Sequence, residues 1–191
     1  VADNGRGRPA DPRLSSRFMQ ATLDLLASEG YRAVTTAAVA GRAGASTASL
    51  YRRWPTKQAL VSDVARSLTL DALGEIDSGT LAGDLDQLIT RKRGLFDQVG
   101  TALLSLLAES CHDTELRAIL RTEVIEATDQ HLKAMLRRAV LRGEIPEPRN
   151  GAIETLSLSI IGRELLMQAL DPAPSYGDAD AEVALILRAL S

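Results

Sequence analysis

A single cysteine, Cys111, and two histidines, His112 and His131, are the only thiol and imidazole groups in 191 residues. An intramolecular disulfide is therefore impossible, which agrees with a reducing compartment, and a four-ligand structural zinc site lacks donors. Aromatic residues make up 3% of the chain, and no stretch alternates strictly between polar and apolar residues. Half-buried strands thus have no pattern to build on, and the abundance of Ala and Leu points to an all-α fold. Long uninterrupted apolar segments are missing, as is a signal-like start. Nothing is expected to span or cross a membrane, and the expected location is the cytoplasm. There are no internal repeats or low-complexity tracts. The length suits one domain or two small ones with an ample core.

One cluster has the residue types of catalysis, Glu109-Ser110-Cys111-His112-Asp113. Adjacent Cys and His point to different sides of a helix, so they do not form a nucleophile and base pair without a turn. Glu109, His112 and Asp113 have i, i+3, i+4 spacing, yet a polar helix end accounts for them more simply. No catalytic residue, metal site or cofactor is expected. The rival reading is a helical enzyme or metal-binding protein with an incidental basic head.

What is present is an asymmetry of charge. Residues 1–66 carry ten Lys or Arg against five Asp or Glu, net +5, and the remainder twelve against twenty, net −8. A basic head on an acidic body argues that the head meets phosphate. Residues 1–11 read as a flexible basic arm. Within it, Gly5-Arg6-Gly7-Arg8-Pro9 resembles an AT-hook core that would lay Arg6 and Arg8 in a narrow minor groove; a disordered basic tail is the alternative.

From Pro12 to Glu29 the stripe Leu14, Phe18, Ala21, Thr22, Leu25 predicts a helix closed by Gly30. Thr36 then caps a short helix over 37–43, Gly44 supplies the left-handed stop, and Ser46 caps a second helix to about Arg53. Leu50 and Trp54 face inward, leaving Thr47, Ser49, Tyr51, Arg52 and Arg53 outside. This is a helix-turn-helix, suited to a DNA major groove. Thr56 caps a linking helix over 56–72. After a loop from Gly74 to Gly83, helices are expected at 84–99, 101–110, 113–142, 151–170 and 178–190, with breaks at Gly100, at Cys111-His112 and at the two proline-bearing stretches.

The pattern Gly30-Tyr31, Thr35-x-x-x-Val39-Ala40-x-x-Ala43-Gly44-x-Ser46, Leu50-Tyr51-x-x-Trp54 and Lys57-x-x-Leu60 resembles the tetracycline-repressor (TetR) family of transcriptional regulators. The resemblance covers roughly the first third of the chain. It implies an all-α homodimer of about nine helices per chain: a three-helix head with the helix-turn-helix (12–55), the linking helix (56–72), and a ligand-binding and dimerisation domain (84–191). It also implies double-stranded operator DNA as partner and a repressor released by a small, apolar effector. A ligand-independent activator is the alternative among regulators.

The resemblance assigns Thr36, Tyr51 and Lys57 to phosphate contact, which a helix N-terminus favours. It places Ser46, Thr47, Ala48, Ser49, Arg52 and Arg53 on the recognition helix. Arginine paired bidentately with guanine makes Arg52 or Arg53 the candidate base reader. Adjacent residues diverge by ~100° on a helix, so only one of the two is expected to reach. Phe96, Val99, Leu103, Leu107, Leu120, Val124, Met135 and Met167 are candidate walls of an effector pocket, with His131 a candidate polar anchor; each suits a plain core equally. The last two helices are apolar nearly all round. Leu156, Ile160, Met167, Val183, Leu185, Ile186 and Leu190 are therefore expected to meet a second copy of the chain; a terminal helix buried in its own subunit is the alternative.

Overall fold

A computed structural model describes residues 12–71, 74–171 and 179–190. The described residues form nine α-helices: α1 (Pro12–Glu29), α2 (Thr36–Arg42), α3 (Thr47–Tyr51), α4 (Lys57–Arg66), α5 (Leu81–Ser110), α6 (Thr114–Leu120), α7 (Ala127–Leu141), α8 (Ala152–Leu170) and α9 (Ala179–Leu190). A 3₁₀ turn covers Tyr31–Ala33. π turns extend α4 over Ser67–Asp71 and join α6 to α7 over Arg121–Glu126. Among the described residues no helix is long and apolar enough to cross a membrane.

The apolar stripe of α1 buries Phe18, Ala21, Leu25 and Leu26, and the buried Thr22 hydroxyl donates to Phe18 O at 2.8 Å. Around this stripe close Val39 and Ala40 of α2, Leu50 of α3 and Leu60, Val61 and Val64 of α4. Burying a side chain such as Leu50 contributes ~1.5–3 kcal/mol. The same core continues into α5 through Phe96, Ala102, Leu103 and Leu106, so the head is seated directly on the body. A second core fills the far half of the body, where α5, α7, α8 and α9 bring together residues such as Leu85, Leu132, Ile160 and Val183.

Three expected boundaries move. Helix α5 runs unbroken for thirty residues through Gly100, where a break is expected from sequence. A mid-helix Gly costs only ~1 kcal/mol relative to Ala, and here it makes room: a Cβ on Gly100 would stand 2.8 Å from the Gln168 side chain of α8. The N-terminus of α5 lies at Leu81 because Thr80 accepts the Gly83 N–H at 3.2 Å. Asp84, expected to open that helix, is instead wholly buried in its first turn. It accepts from the Ser78 N–H (2.6 Å), the Ser78 hydroxyl (2.8 Å) and Arg138 (3.3 Å). Burial pushes its carboxyl up, and these hydrogen bonds outweigh that and hold it below the usual range. The single helix expected over 113–142 is α6, a π turn and α7 in succession. The expected end of the linking helix near Ala72 and the arm at 1–11, with Arg6 and Arg8, lie outside the described residues.

Candidate nucleic-acid interface and cavity

Two neighbouring threonines compete to cap α2, and Thr35 does so. Its backbone is extended (φ −115°, ψ 157°) and its Oγ1 accepts the Ala38 N–H at 3.1 Å. Thr36, expected as the cap, is therefore the first helical residue, and its hydroxyl lies 3.2 Å from the Tyr51 hydroxyl of α3. The turn between the helices closes with Ala45 N–H on Ala40 O (2.9 Å) and Gly44 at φ +60°. A left-handed residue there is costly for any side chain with a Cβ. Arg17 of α1 grips the same turn through the carbonyls of Ala43 and Gly44, a role with no signature in the linear sequence.

Ser46 caps α3 by accepting the Ser49 N–H at 3.2 Å. Leu50 is fully buried, and Trp54 packs edge-on to Phe18 with ring centroids 6.0 Å apart while its Nε1–H donates to Asp63 at 2.7 Å. That anchoring turns Thr47, Ala48, Tyr51 and Arg52 outward. The two arginines part. Arg52 is exposed and donates to the Ser49 hydroxyl at 3.0 Å, whereas half-buried Arg53 donates from Nε to the Ser15 hydroxyl of α1 (2.9 Å) and from Nη1 to Ser49 O (3.1 Å). Thr36, Thr47, Tyr51 and Arg52 thus share one outer polar face, and Arg53 braces it from behind.

Lys57, at the start of α4 behind its cap Thr56, does not extend outward. Its Nζ donates to Tyr31 O at 2.6 Å and lies 3.5 Å from the Tyr31 ring centroid. Burial lowers the ammonium pKa, opposed by the charges of Glu109 and Asp113. The 109–113 cluster has a structural occupation. Asp113 caps α6 by accepting the N–H groups of Glu115 (3.0 Å) and Leu116 (2.9 Å), and Glu109 pairs with Arg32 at 3.4 Å. Among the described residues no group of three or more His, Cys, Asp or Glu is placed to hold a metal.

Inside the body, a cavity of about 200 Å³ lies between α5, α8 and the α6–π segment. Phe96, Leu103, Leu107, Leu120 and Val124 line it, joined by Ile125, Ile161 and Leu165 and by the polar Ser110, Arg117 and Arg121, which the sequence had not singled out. Four other candidates are elsewhere. Val99 packs on the upper core, Met135 is in the far core, and half-buried Met167 lies off the cavity wall. The His131 Nδ1 is 3.0 Å from Ala127 O on its own helix. The linking helix touches the cavity's outer wall through Gln58 to Glu115 (3.0 Å) and Ser62 to Glu123 (2.8 Å).

The apolar surfaces of α8 and α9 divide differently from expectation. Ile160, Val183, Ile186 and Leu190 are consumed in the chain's own far core, and Leu156 is packed half-buried against it. The outward groups are Leu158, Leu166, Leu170 and Leu185, the last 68% exposed.

Residues 18–64 match the family model described as bacterial regulatory proteins, tetR family. Residues 75–182 match that of the tetracyclin repressor-like C-terminal domain. The uncharacterized HTH-type transcriptional regulator YdeS of Bacillus subtilis is 31% identical over 143 residues, 74% of this chain and 72% of that protein. A Mycobacterium bovis regulator of the same description, Mb1581, is 32% identical over 145 residues, 72% of this chain and 70% of its own length. A TetR transcription regulator from Haloarcula marismortui superposes with a TM-score of 0.69 at 20% identity, over 93% of this chain and 98% of that one, a likeness of fold.

Proposed function

Since the chain belongs to the TetR family of DNA-binding transcriptional regulators, whose members are not enzymes, we propose that it is a sequence-specific repressor that leaves its operator when a small, largely apolar effector enters the body. In this reading Arg52 reads a base, Thr36 and Tyr51 rest on phosphate through paired hydroxyls, and Arg53 holds the recognition helix on α1. Lys57 joins the phosphate contacts by swinging off Tyr31 when DNA is present. The arm with Arg6 and Arg8 adds minor-groove contacts.

The observation that carries the effector reading is the double use of one segment. The π turn supplies Arg121, Val124 and Ile125 to the cavity, and Glu123 from the same turn holds Ser62 of α4, whose first residue is Lys57. π turns inside helices are frequent at functional sites. Filling the cavity moves α4, and with it the head. In a dimer joined through the outward leucines of α8 and α9, two heads must sit on half-sites at a fixed spacing, so a shift of a few ångströms prevents simultaneous docking. A regulator of this kind works in the cytoplasm, with the DNA.

Anisotropy titration of the full chain against DNA upstream of its own gene and of a divergent neighbour, at several salt concentrations, tests the reading. Expected are a saturable complex on one sequence, a steep salt dependence, and affinity at least ~10³-fold above random DNA. Equal binding to all sequences would overturn it.

A further inference from the structure

Each of the three polar residues at the cavity between α5, α8 and the α6–π segment spends its hydrogen bonds elsewhere. The Ser110 hydroxyl donates to Leu107 O at 2.7 Å, back into its own helix. Arg117, an exposed residue, donates from Nε to Ser110 O at 3.1 Å and from Nη2 to Cys111 O at 2.9 Å. Arg121 is exposed as well, and its guanidinium lies 3.6 Å from Glu126 with both side chains largely in solvent. The two arginines edge the cavity with their stems. All other lining residues are aliphatic or aromatic: Phe96, Leu103 and Ile161 are buried, and Leu107 is 43% exposed where the cavity reaches the surface.

We propose that the cavity binds a neutral hydrocarbon about the size of a xylene, with no charged or hydrogen-bonding group. This rests on the effector reading above and names its ligand class. A guest with a hydroxyl, carboxylate or ammonium would surrender its hydrogen bonds to water and receive none in return. A hydrocarbon surrenders none. It also supplies the dispersion partners that the lining atoms of a void lack in an otherwise close-packed interior. The volume sets the size. A dry cavity of about 150 Å³ lined by Leu, Ile and Phe admits benzene, so the 200 Å³ here has room for a benzene ring with roughly two further methyl groups. p-Xylene is the natural probe, because it has no rotatable bonds to freeze and its ring can pack on Phe96.

Calorimetric titration of the full-length protein with p-xylene, 4-methylphenol, 4-methylbenzoate and 4-methylbenzylamine tests this, since the four share one scaffold and differ in a single group. p-Xylene is expected to bind at least ~10-fold more tightly than 4-methylphenol, whose hydroxyl would be buried unpaired, and neither ion is expected to bind measurably. Leu107→Trp, at an exposed position where folding is not at stake, should obstruct the cavity and weaken p-xylene. Val124→Phe should do the same from the opposite wall, and Arg121→Gln should leave the affinity unchanged. No binding of p-xylene, equal or tighter binding of 4-methylphenol or of either ion, or undiminished p-xylene affinity in both Leu107→Trp and Val124→Phe would each overturn the proposal. Tighter binding of the larger 1,3,5-triethylbenzene would overturn the size. Operator titrations separate the two readings. p-Xylene that binds without releasing DNA leaves this site standing and removes the effector role, whereas release by 4-methylbenzoate with no binding of p-xylene leaves the effector role and removes the hydrocarbon.

Discussion

The Ser62 hydroxyl donates to Glu123 Oε1 at 2.8 Å, so α4 is fastened to the π turn at the residue immediately before cavity-lining Val124 and Ile125. A π turn accommodates an extra residue at the expense of regular α hydrogen bonding, and it has a ready alternative in the α geometry of its flanks. The Gln58 to Glu115 bond at 3.0 Å repeats the attachment one turn nearer the DNA. In the proposed mechanism, a ligand that rearranges Val124 pulls on the helix that begins with Lys57.

Breaking that fastening should uncouple the sites without disabling either. Glu123→Ala and Ser62→Ala are expected to leave operator affinity without effector within about twofold, because neither residue is on the DNA face. The release factor caused by a cavity ligand should fall several-fold in both, consistent with ~1 kcal/mol of lost coupling. Parallel DNA titrations with and without saturating ligand measure it, and an undiminished release factor would show that the coupling runs elsewhere.

The recognition-helix arginines should give opposite phenotypes. Arg52→Ala is expected to cost ~1–3 kcal/mol of operator affinity, to relax preference at one position per half-site, and to leave the melting temperature unchanged. Arg53→Ala removes the bonds to Ser15 and Ser49 O. It should lower thermal stability and weaken all operator variants alike. Binding to a panel of single-base variants, with thermal unfolding alongside, separates the two; a base-specific loss from Arg53→Ala would reverse their roles.

The parts of this structure that obey local rules were legible in the sequence. The caps at Ser46 and Thr56, the left-handed Gly44 and the inward Leu50 each depend on neighbours within four residues. Thr35 and Thr36 are equally good capping residues, and only the path of the incoming chain decides between them. Gly100 looks like punctuation until Gln168, sixty-eight positions away, is seen to occupy the space its Cβ would need. The π turn left no mark in the hydrophobic period and changed what followed. Phe96, Leu103, Leu107, Leu120 and Val124 precede or enter it and line the cavity, whereas His131 and Met135, read onward in α-helical phase, lie away from it. Arg117 and Arg121 carry no sequence signal for a cavity because a cation on a helix face is ordinarily a solvated one, and both are exposed here, edging the cavity with their stems. In α8 and α9, being apolar all round shows that two faces are used, but not which of Leu185 and Ile186 belongs to which.

That last distinction is testable. Leu166 and Leu185 are 58% and 68% exposed in the single chain, whereas Ile186 is 7% exposed. Leu166→Asp and Leu185→Asp should therefore fold normally yet sediment as monomers and lose operator affinity. Ile186→Asp places a charge in the far core and should unfold the body. Analytical ultracentrifugation with circular dichroism reads both properties. Folded dimers from both leucine variants would move the interface off this surface.

Lys92 should give the stability curve a distinctive rise at alkaline pH. It is 3% exposed and packed between α5 and α7, and desolvation by burial lowers its pKa from 10.5 to about 8 despite the opposing charge of Glu164. Between those values the unfolded chain holds a proton that the folded chain has released. Unfolding therefore takes up a proton, and stability rises with pH from about 8 to about 10.5, the opposite of a lysine held in a salt bridge. Below pH 8 the folded state carries the buried charge at a cost of about 3 kcal/mol, the equivalent of that lowering. Lys92→Met keeps the length and apolar stem and leaves Thr128 donating to Val124 O at 2.7 Å, so no polar group is stranded. The variant should be more stable at pH 7 by an amount of that order, and its denaturant midpoint should lack the gain the parent shows between pH 8 and 10. Urea unfolding of both proteins across that range is the measurement. A parent midpoint that falls over this interval, with Lys92→Met parallel to it, would mean that the ammonium is paired in the folded protein and is not a desolvated charge.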